Sequence, residues 1–305
     1  MTIEQSYTIE EVANLLKVSK LTIYDLVKKG ELPVFRVGRQ MRMSASDLDR
    51  YVKKQTTTAP AAVPSHSDPE HKASIVISGQ DIALDILAQH IEKESSYKAL
   101  RSHAGSLNSL ISMYQGKCDI VSLHMYDGDT GDYNLPYVKR ILSGYSYTVI
   151  HLLARKAGLY VQKGNPLHIR SWTDLRQERI TIINREKGSG ARILLDEQLR
   201  IHNLSPRFIN GYEREENSHL RVASAVLNGT ADAGVGIEKA AQMVGVDFIP
   251  LITERYDLVL LKTPETVELV QTVQKIVSSP LFQAEIGSLG NYNCSQTGRI
   301  LFETD

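Results

Sequence analysis

Three serines in this chain stand beside glycine where a strand should hand over to a helix: Ser78-Gly79-Gln80, Ala104-Gly105-Ser106 and Gly188-Ser189-Gly190. A helix start leaves its first backbone N–H groups unpaired and carries the positive end of the helix dipole, while glycine lets a ligand approach the backbone closely. Corners of this kind, brought together, make a cradle for a small anion. The candidate contacts are Ser78, Gly79, Ser106, Ser189 and Gly190. His124 just past a strand, Arg192 in the first turn of its helix, and His219 beside a further helix start at 218–222 join them. An arginine in use would add bidentate recognition of carboxylate, phosphate or sulfate, and would argue against a site made only of neutral donors. Each residue also has a plainer reading. Serine is a common helix cap, Arg192 can pair with Asp196 one turn on, and His124 can bond Tyr126 or Asp127. Taken jointly, with their glycines, the three serine corners read as a pocket.

The elements that must position these groups alternate from Ser74 onward. Ile75-Val76-Ile77 reads as a strand, Ile82 to Glu94 as a helix, a strand precedes His103, Leu107 to Gln115 is a helix, and Ile120 to Leu123 is a strand. Ile180 to Ile183 reads as a further strand before the glycine-serine corner. This order predicts a parallel α/β sheet, whose ligands bind beyond the carboxyl ends of its strands. Upstream, residues 56–73 are rich in Thr, Ala, Pro, Ser and His without apolar periodicity, the composition of a linker.

Residues 1–55 carry a different pattern. Thr8 and Glu11 form a reciprocal N-terminal box, followed by an apolar stripe at Ile9, Val12, Ala13 and Leu16. After the turn Lys17-Val18-Ser19, with Ser19 as cap, Leu21, Ile23, Tyr24, Leu26 and Val27 continue a second helix to Gly30. Two short helices joined by a tight turn are a helix-turn-helix signature. Leu32 to Met43 alternates around Gly38 and predicts a β wing. Ser44 and Asp47 then open a third helix with Leu48, Tyr51 and Val52. This stretch holds ten Lys/Arg against seven Asp/Glu, a charge of +3 in a chain of formal net charge +0, which suits specific DNA contact better than coating of DNA.

The run TIEEVANLLKVSKLTIYDLVKKGELPVFRVGRQMRMSASDLDRYV resembles the winged helix-turn-helix of the excisionase and MerR-like group. The resemblance implies a second helix in the major groove of double-stranded DNA and wing residues at phosphate or in the minor groove. It nominates Lys20, Thr22, Tyr24, Asp25 and Lys28 on the helix and Arg36, Arg39 and Arg42 on the wing. Further on, SGQDIALDIL, AGSLNSLISMYQGKCDIVSLHMYD, YVQKGNP, NREKGSGARILLDEQL and LNGTADAGVGIEKAA resemble the periplasmic-binding-protein-like domain fused to helix-turn-helix heads and related to molybdate-binding proteins.

That second resemblance implies an α/β chain made of a winged helix-turn-helix at 1–55 and a two-lobed type II periplasmic-binding-protein-like domain at 74–305. The inserted lobe spans about 154–250, and Tyr147 to Leu153 and Phe248 to Ile252 are the crossing strands. Carried over, Ser78 and Ser106 match the hydroxyl contacts of the first lobe and Ser189 the loop of the second. The tyrosine of molybdate binders is absent from Ala233 to Glu238, so the resemblance leaves open whether the effector is molybdate, tungstate or an organic carboxylate.

Composition and motifs exclude other classes. With 42% hydrophobic residues and no long apolar run, no membrane segment is expected, and no secretion signal is read at the start, so the cytoplasm is the expected compartment. Cys118 and Cys294 lack ligand-like spacing, so neither a metal site nor a disulfide scaffold is expected. No cofactor motif is present. A hydrolase built on Ser122, His124, Asp127 and Ser189 lacks the nucleophile elbow, so no catalytic residue is nominated. A transport receptor is disfavoured by the head. The expectation is a ligand-responsive, homodimeric transcriptional regulator.

Overall fold

The computed structural model describes residues 6–15, 20–28, 32–38, 40–48 and 73–304. The chain separates into two compact units, residues 1–69 and 70–305. Within the first, β1 (Ser6–Thr8) leads into a helix at Ile9–Leu15, a second helix spans Lys20–Lys28, and β2 (Phe35–Val37) and β3 (Gln40–Ser44) precede a helical turn at 45–48. The box at Thr8 forms as the sequence implies: the Thr8 N–H donates to a Glu11 carboxylate oxygen at 2.7 Å, and the Glu11 N–H donates to Thr8 Oγ1 at 3.3 Å. Gly38 takes the positive φ of 61° that turns β2 into β3. β1 adds a third antiparallel strand on the outer edge of β3, an element the alternation pattern did not reveal. Ile9, Val12, Ala13, Ile23, Leu32, Met43 and Leu48 form the core. The expected turn at 17–19, the helix end at Gly30, Tyr51, Val52 and the linker as far as residue 72 lie outside the described residues.

The second unit is built on a sheet with the strand order β11-β10-β12-β9-β13-β6-β4-β5. The strands are β4 (Ser74–Ser78), β5 (Lys98–Ser102), β6 (Ile120–Leu123), β9 (Tyr147–Val161), β10 (Ile182–Arg185), β11 (Glu215–Glu216), β12 (Ala233–Ile237) and β13 (Asp247–Leu261). A small hairpin, β7 (Tyr126–Asp127) with β8 (Asp132–Tyr133), stands apart, and β14 (Tyr292–Asn293) and β15 (Ile300–Glu303) return onto β9. The expectation of a parallel sheet holds only in the flanks, where β4 pairs with β5 and β6, and β10 with β11 and β12. The centre is antiparallel because the chain crosses once on β9 and returns on β13.

These crossing strands are each 15 residues long, about twice the expected 147–153 and three times the expected 248–252, and they pair along almost their whole length. Their register shifts between Pro250 and Ile252, and again between Tyr256 and Asp257. At one end, helices Ala83–Glu94, Val267–Val277 and Pro280–Ser288 cover one face and Ser106–Tyr114 and Leu135–Ile141 the other. At the far end, helix Gly190–Ile201 covers one face and His219–Leu227 with Glu238–Val244 the other. Two three-layered lobes therefore share β9 and β13. Because both faces are covered, β9 is buried at nearly every position, and each large aliphatic side chain so buried contributes about 1.5–3 kcal/mol.

Candidate functional site

Arg155 and Glu254 face each other in the register of the two crossing strands. The Arg155 Nε donates to Glu254 Oε1, and its Nη1 donates to the carboxylate of Asp81, which stands at the carboxyl end of β4 just before helix Ala83–Glu94. Asp81 also accepts from the Ala83 N–H at 2.8 Å and from Tyr292 Oη at 2.9 Å, and the Arg155 guanidinium lies 4.7 Å from the ring centre of Tyr256. All of these charges are buried. Burial pushes the Glu254 carboxyl up, but Arg155 and then His124 outweigh it, holding the acid at about 2. Burial, followed by the nearby Asp81 charge, raises the Tyr256 phenol to about 12.

His124, at the end of β6, gathers the next groups. Its Nδ1 lies 3.2 Å from Glu254 Oε2 and its backbone N–H donates to Ser106 Oγ at 3.3 Å. Gly190 packs on its ring so closely that a Cβ there would come within 2.5 Å of two ring atoms. The His219 ring centre is 6.4 Å away. Three helices of nine residues or more thus start around one imidazole: Ser106–Tyr114 from one lobe, Gly190–Ile201 and His219–Leu227 from the other. The lobes touch here. The Leu107 N–H donates to Gly188 O at 3.0 Å, and a Cβ on Gly105 would come within 2.9 Å of that same oxygen.

Two polar atoms in this region are buried without a partner, Nδ1 of His219 and Oη of Tyr133. Burial drives the His219 pKa well below the ordinary range, and the guanidinium charges of Arg185 and Arg155 push it further in the same direction. His219 is therefore neutral near pH 7. Tyr133 is raised by burial first and by the Glu254 charge second.

Of the residues singled out from sequence, Ser106, His124, Ser189, Gly190 and His219 come together, and Gly79 lies at the adjoining strand end. There its φ of 147° and a Cβ position 1.9 Å from Ser122 Oγ allow no side chain. Ser78 is buried beneath that corner with its hydroxyl 2.8 Å from Ser109 Oγ. Ser189 caps its helix, accepting from the Arg192 N–H and donating to Glu186 O. Arg192 points away from His124: Nε donates to Asp196 at 3.0 Å, Nη1 to Glu215 at 2.9 Å, and the guanidinium stacks 4.3 Å over Tyr212. The plainer reading of Arg192 as an ion-pair partner describes its geometry. The hydrolase set does not assemble, since Ser122 Oγ bonds Tyr256 Oη and the Asp127 carboxylate caps its own turn at Asp129 and Thr130.

Arg155, Glu254, Asp81, Tyr133 and Arg185 were not nominated from sequence. A signal existed for Arg155: it is a charge inside the long apolar run of β9, which few strands tolerate without a partner. Arg185 was hidden by a two-residue error. Thr181 makes an isolated bridge to Asn210, and β10 runs from Ile182 to Arg185 instead of ending at Ile183.

On the head, Tyr24 and Lys28 are exposed one turn apart on the second helix, in line with Lys20, whose ammonium lies 2.7 Å from Glu10. Arg36 is exposed on the wing. Arg42 is tied back to β1, with Nε donating to Ser6 Oγ and Nη2 to Ser6 O, each at 2.9 Å. Arg39 and the side chains of Thr22 and Asp25 lie outside the described residues.

A two-lobed domain with charges gathered where its lobes meet, preceded by a helix-turn-helix head, defines a ligand-binding protein of the periplasmic-binding-protein type joined to a DNA-binding module. The chain belongs to the PBP superfamily domain family, whose model matches residues 88–278, and a helix-turn-helix domain model matches residues 6–56. It is 52% identical over 305 residues to the uncharacterized protein YvgK of Bacillus subtilis (strain 168), covering 98% of both chains. Among solved structures, the tungstate ABC transporter of Geobacter sulfurreducens is similar with a TM-score of 0.53 and 13% identity, covering 70% of this chain and 98% of the other. The ancestral amino acid-binding protein AncCDT-1 is similar at a TM-score of 0.50 and 15% identity, covering 71% and 94%. At such identities these structures establish the fold alone.

Proposed function

We propose that this protein is a one-component transcriptional regulator of the cytoplasm, in which the helix-turn-helix head binds double-stranded DNA as a homodimer and a small anion in the interlobe cleft adjusts that binding. The observation that carries the anion is the buried, unpaired Nδ1 of His219 at the meeting of three helix starts. Ser106, His124, Gly190 and His219 are the proposed contacts from the serine and histidine set, with Ser189 and Gly79 shaping the walls.

An oxyanion of the molybdate or tungstate kind fits the converging N–H groups. A small carboxylate is the second reading, favoured by the buried guanidinium groups of Arg155 and Arg185, because a planar fork of donors matches a planar acceptor. Ligand that prefers the closed lobes shifts the domain toward closure, and DNA affinity changes by the difference in ligand affinity between the two states.

The test is thermal unfolding of the full chain against molybdate, tungstate, sulfate, phosphate and small carboxylates. At a hundred times its Kd a ligand adds about 2.7 kcal/mol to the native state, a clear rise in Tm. A rise with one class names the effector class, and its loss in Ser106→Ala supports the helix-start contacts. No rise with any anion overturns the reading.

A further inference from the structure

Arg185 is among the largest fully buried side chains, and the group that meets it from the opposite lobe is an amide. Its Nη2 donates to Gln80 Oε1 at 2.6 Å. The rest of the guanidinium is held from its own strand end, with Nε on Glu186 Oε2 at 2.7 Å and Nη2 also on Glu186 Oε1 at 2.8 Å. Asn217 O lies 3.4 Å from the same Nη2. Gln80 itself is exposed, and its Nε2 donates to Glu186 Oε1 at 3.1 Å and to His103 O at 3.3 Å. One solvent-facing side chain thus ties the carboxyl end of β4 to the carboxyl end of β10.

We infer, on the reading that the cleft takes a small anion, that Arg185 is the residue that recognises it and that Gln80 occupies the ligand's place on Arg185, so that the effector binds by displacing an interlobe latch. The amide oxygen of Gln80 marks where a carboxylate or oxyanion oxygen is held. Two features of the geometry support this. The Asn217 carbonyl, two residues before His219, lies 3.4 Å from Arg185 Nη2, so the donor that Gln80 engages stands beside the segment that carries the unpaired Nδ1. A guanidinium also attracts an anionic oxygen by its charge and matches a planar or tetrahedral oxyanion with its fork of donors, which a neutral amide oxygen does not exploit, so an anion outcompetes the amide. Glu186 shares Arg185's strand end and remains as the counter-charge, while Gln80 is free to swing into solvent. A cation is repelled by the guanidinium, and a neutral hydroxyl offers it no charge that the amide lacks.

The test uses the full chain with Gln80→Ala and Arg185→Gln. Without ligand, Gln80→Ala loosens the lobes, and the Leu107 amide, which bonds Gly188 O across the cleft, exchanges with solvent faster by about tenfold or more, the weight of one charge-assisted bond. With the anion that raises the wild-type Tm, Gln80→Ala binds more tightly by a similar factor because its competitor is gone. Arg185→Gln loses the response, and its unfolding transition without ligand shows whether it folds; Gln80→Ala carries the test if it does not. A side chain that only braced the structure would weaken binding when removed. Unchanged or weaker binding by Gln80→Ala, with the wild type responding, overturns the displacement and leaves anion sensing intact. A wild type that responds to no anion in the panel overturns the recognition by Arg185 together with the anion reading. Unchanged Leu107 exchange overturns the latch whatever the ligand does.

Discussion

Replacing Arg155 with methionine removes the cation shared by two buried carboxylates while roughly preserving side-chain volume. In the wild type, burial alone would raise the Glu254 acid, yet Arg155 and then His124 bring it from the ordinary 4.5 to about 2. At about 1.36 kcal/mol per unit, that displacement corresponds to on the order of 3 kcal/mol of folding free energy. The folded value lies below the unfolded one. The contribution is therefore complete above about pH 4.5 and is lost as pH falls toward 2. In the Arg155→Met variant, burial of Glu254 is opposed chiefly by His124, and Asp81 loses the same partner. Leaving buried charge uncompensated costs about 3–5 kcal/mol at pH 7.

The loss should then shrink as pH falls. The Glu254 carboxyl of the variant sits above its unfolded value, so protonation relieves it, and the variant regains stability relative to the wild type between pH 7 and pH 5, a range in which the buried neutral His219 costs both proteins stability. Urea unfolding of the full chain at pH 5, 6 and 7, followed by circular dichroism, measures both effects. A loss under about 1 kcal/mol at pH 7, or the same loss at every pH, would refute the account of this cluster as charge compensation; the double variant Arg155→Met, Glu254→Gln should recover part of the loss.

Gly190→Ala should cost about 1–3 kcal/mol and blunt the anion response, because its Cβ would come within 2.5 Å of the His124 ring; a Tm and a ligand titration check both. Gly158→Ala should be more damaging, since the new carbon would lie 2.0 Å from the Ile249 carbonyl oxygen in the paired crossing strand; soluble yield and Tm near wild type would contradict the tight pairing of β9 and β13. Lys28→Ala and Arg36→Ala should each weaken binding to the protein's own promoter fragment and lower the salt slope by about one, measured by anisotropy from about 50 to 200 mM salt. Arg39→Ala tests the wing in the same assay, and an unchanged slope removes it. Arg42→Ala should instead lower the stability of the head, because both of its bonds go to Ser6.

The head was legible in the sequence because its signals are local. Thr8 and Glu11 meet across one helical turn, Gly38 needs only its own φ, and Ile9, Val12 and Ala13 follow helical spacing into the core. The first β1 strand was missed because three residues are too few to show alternation. In the larger unit, Ser106, Gly190 and Ser189 stand out in the sequence because helix starts after strands have a recognisable composition, and the structure brings them near His124 and His219. Arg192 shows where this reasoning stops: a basic residue in a first turn reads the same whether it faces a ligand or, as here, Asp196 and Glu215.

The sequence by itself determined the two modules, their order and most of their helices, since capping, periodicity and glycine placement act over a few residues. Only the tertiary structure decided the charge at the heart of the cleft. Arg155 meets Asp81 from 74 positions away and Glu254 from 99, and Arg185 meets Gln80 from 105. No short window contains such pairs. They exist because β9 and β13 run antiparallel through both lobes and bring distant strand ends to one place, where burial makes each charge depend on its partner.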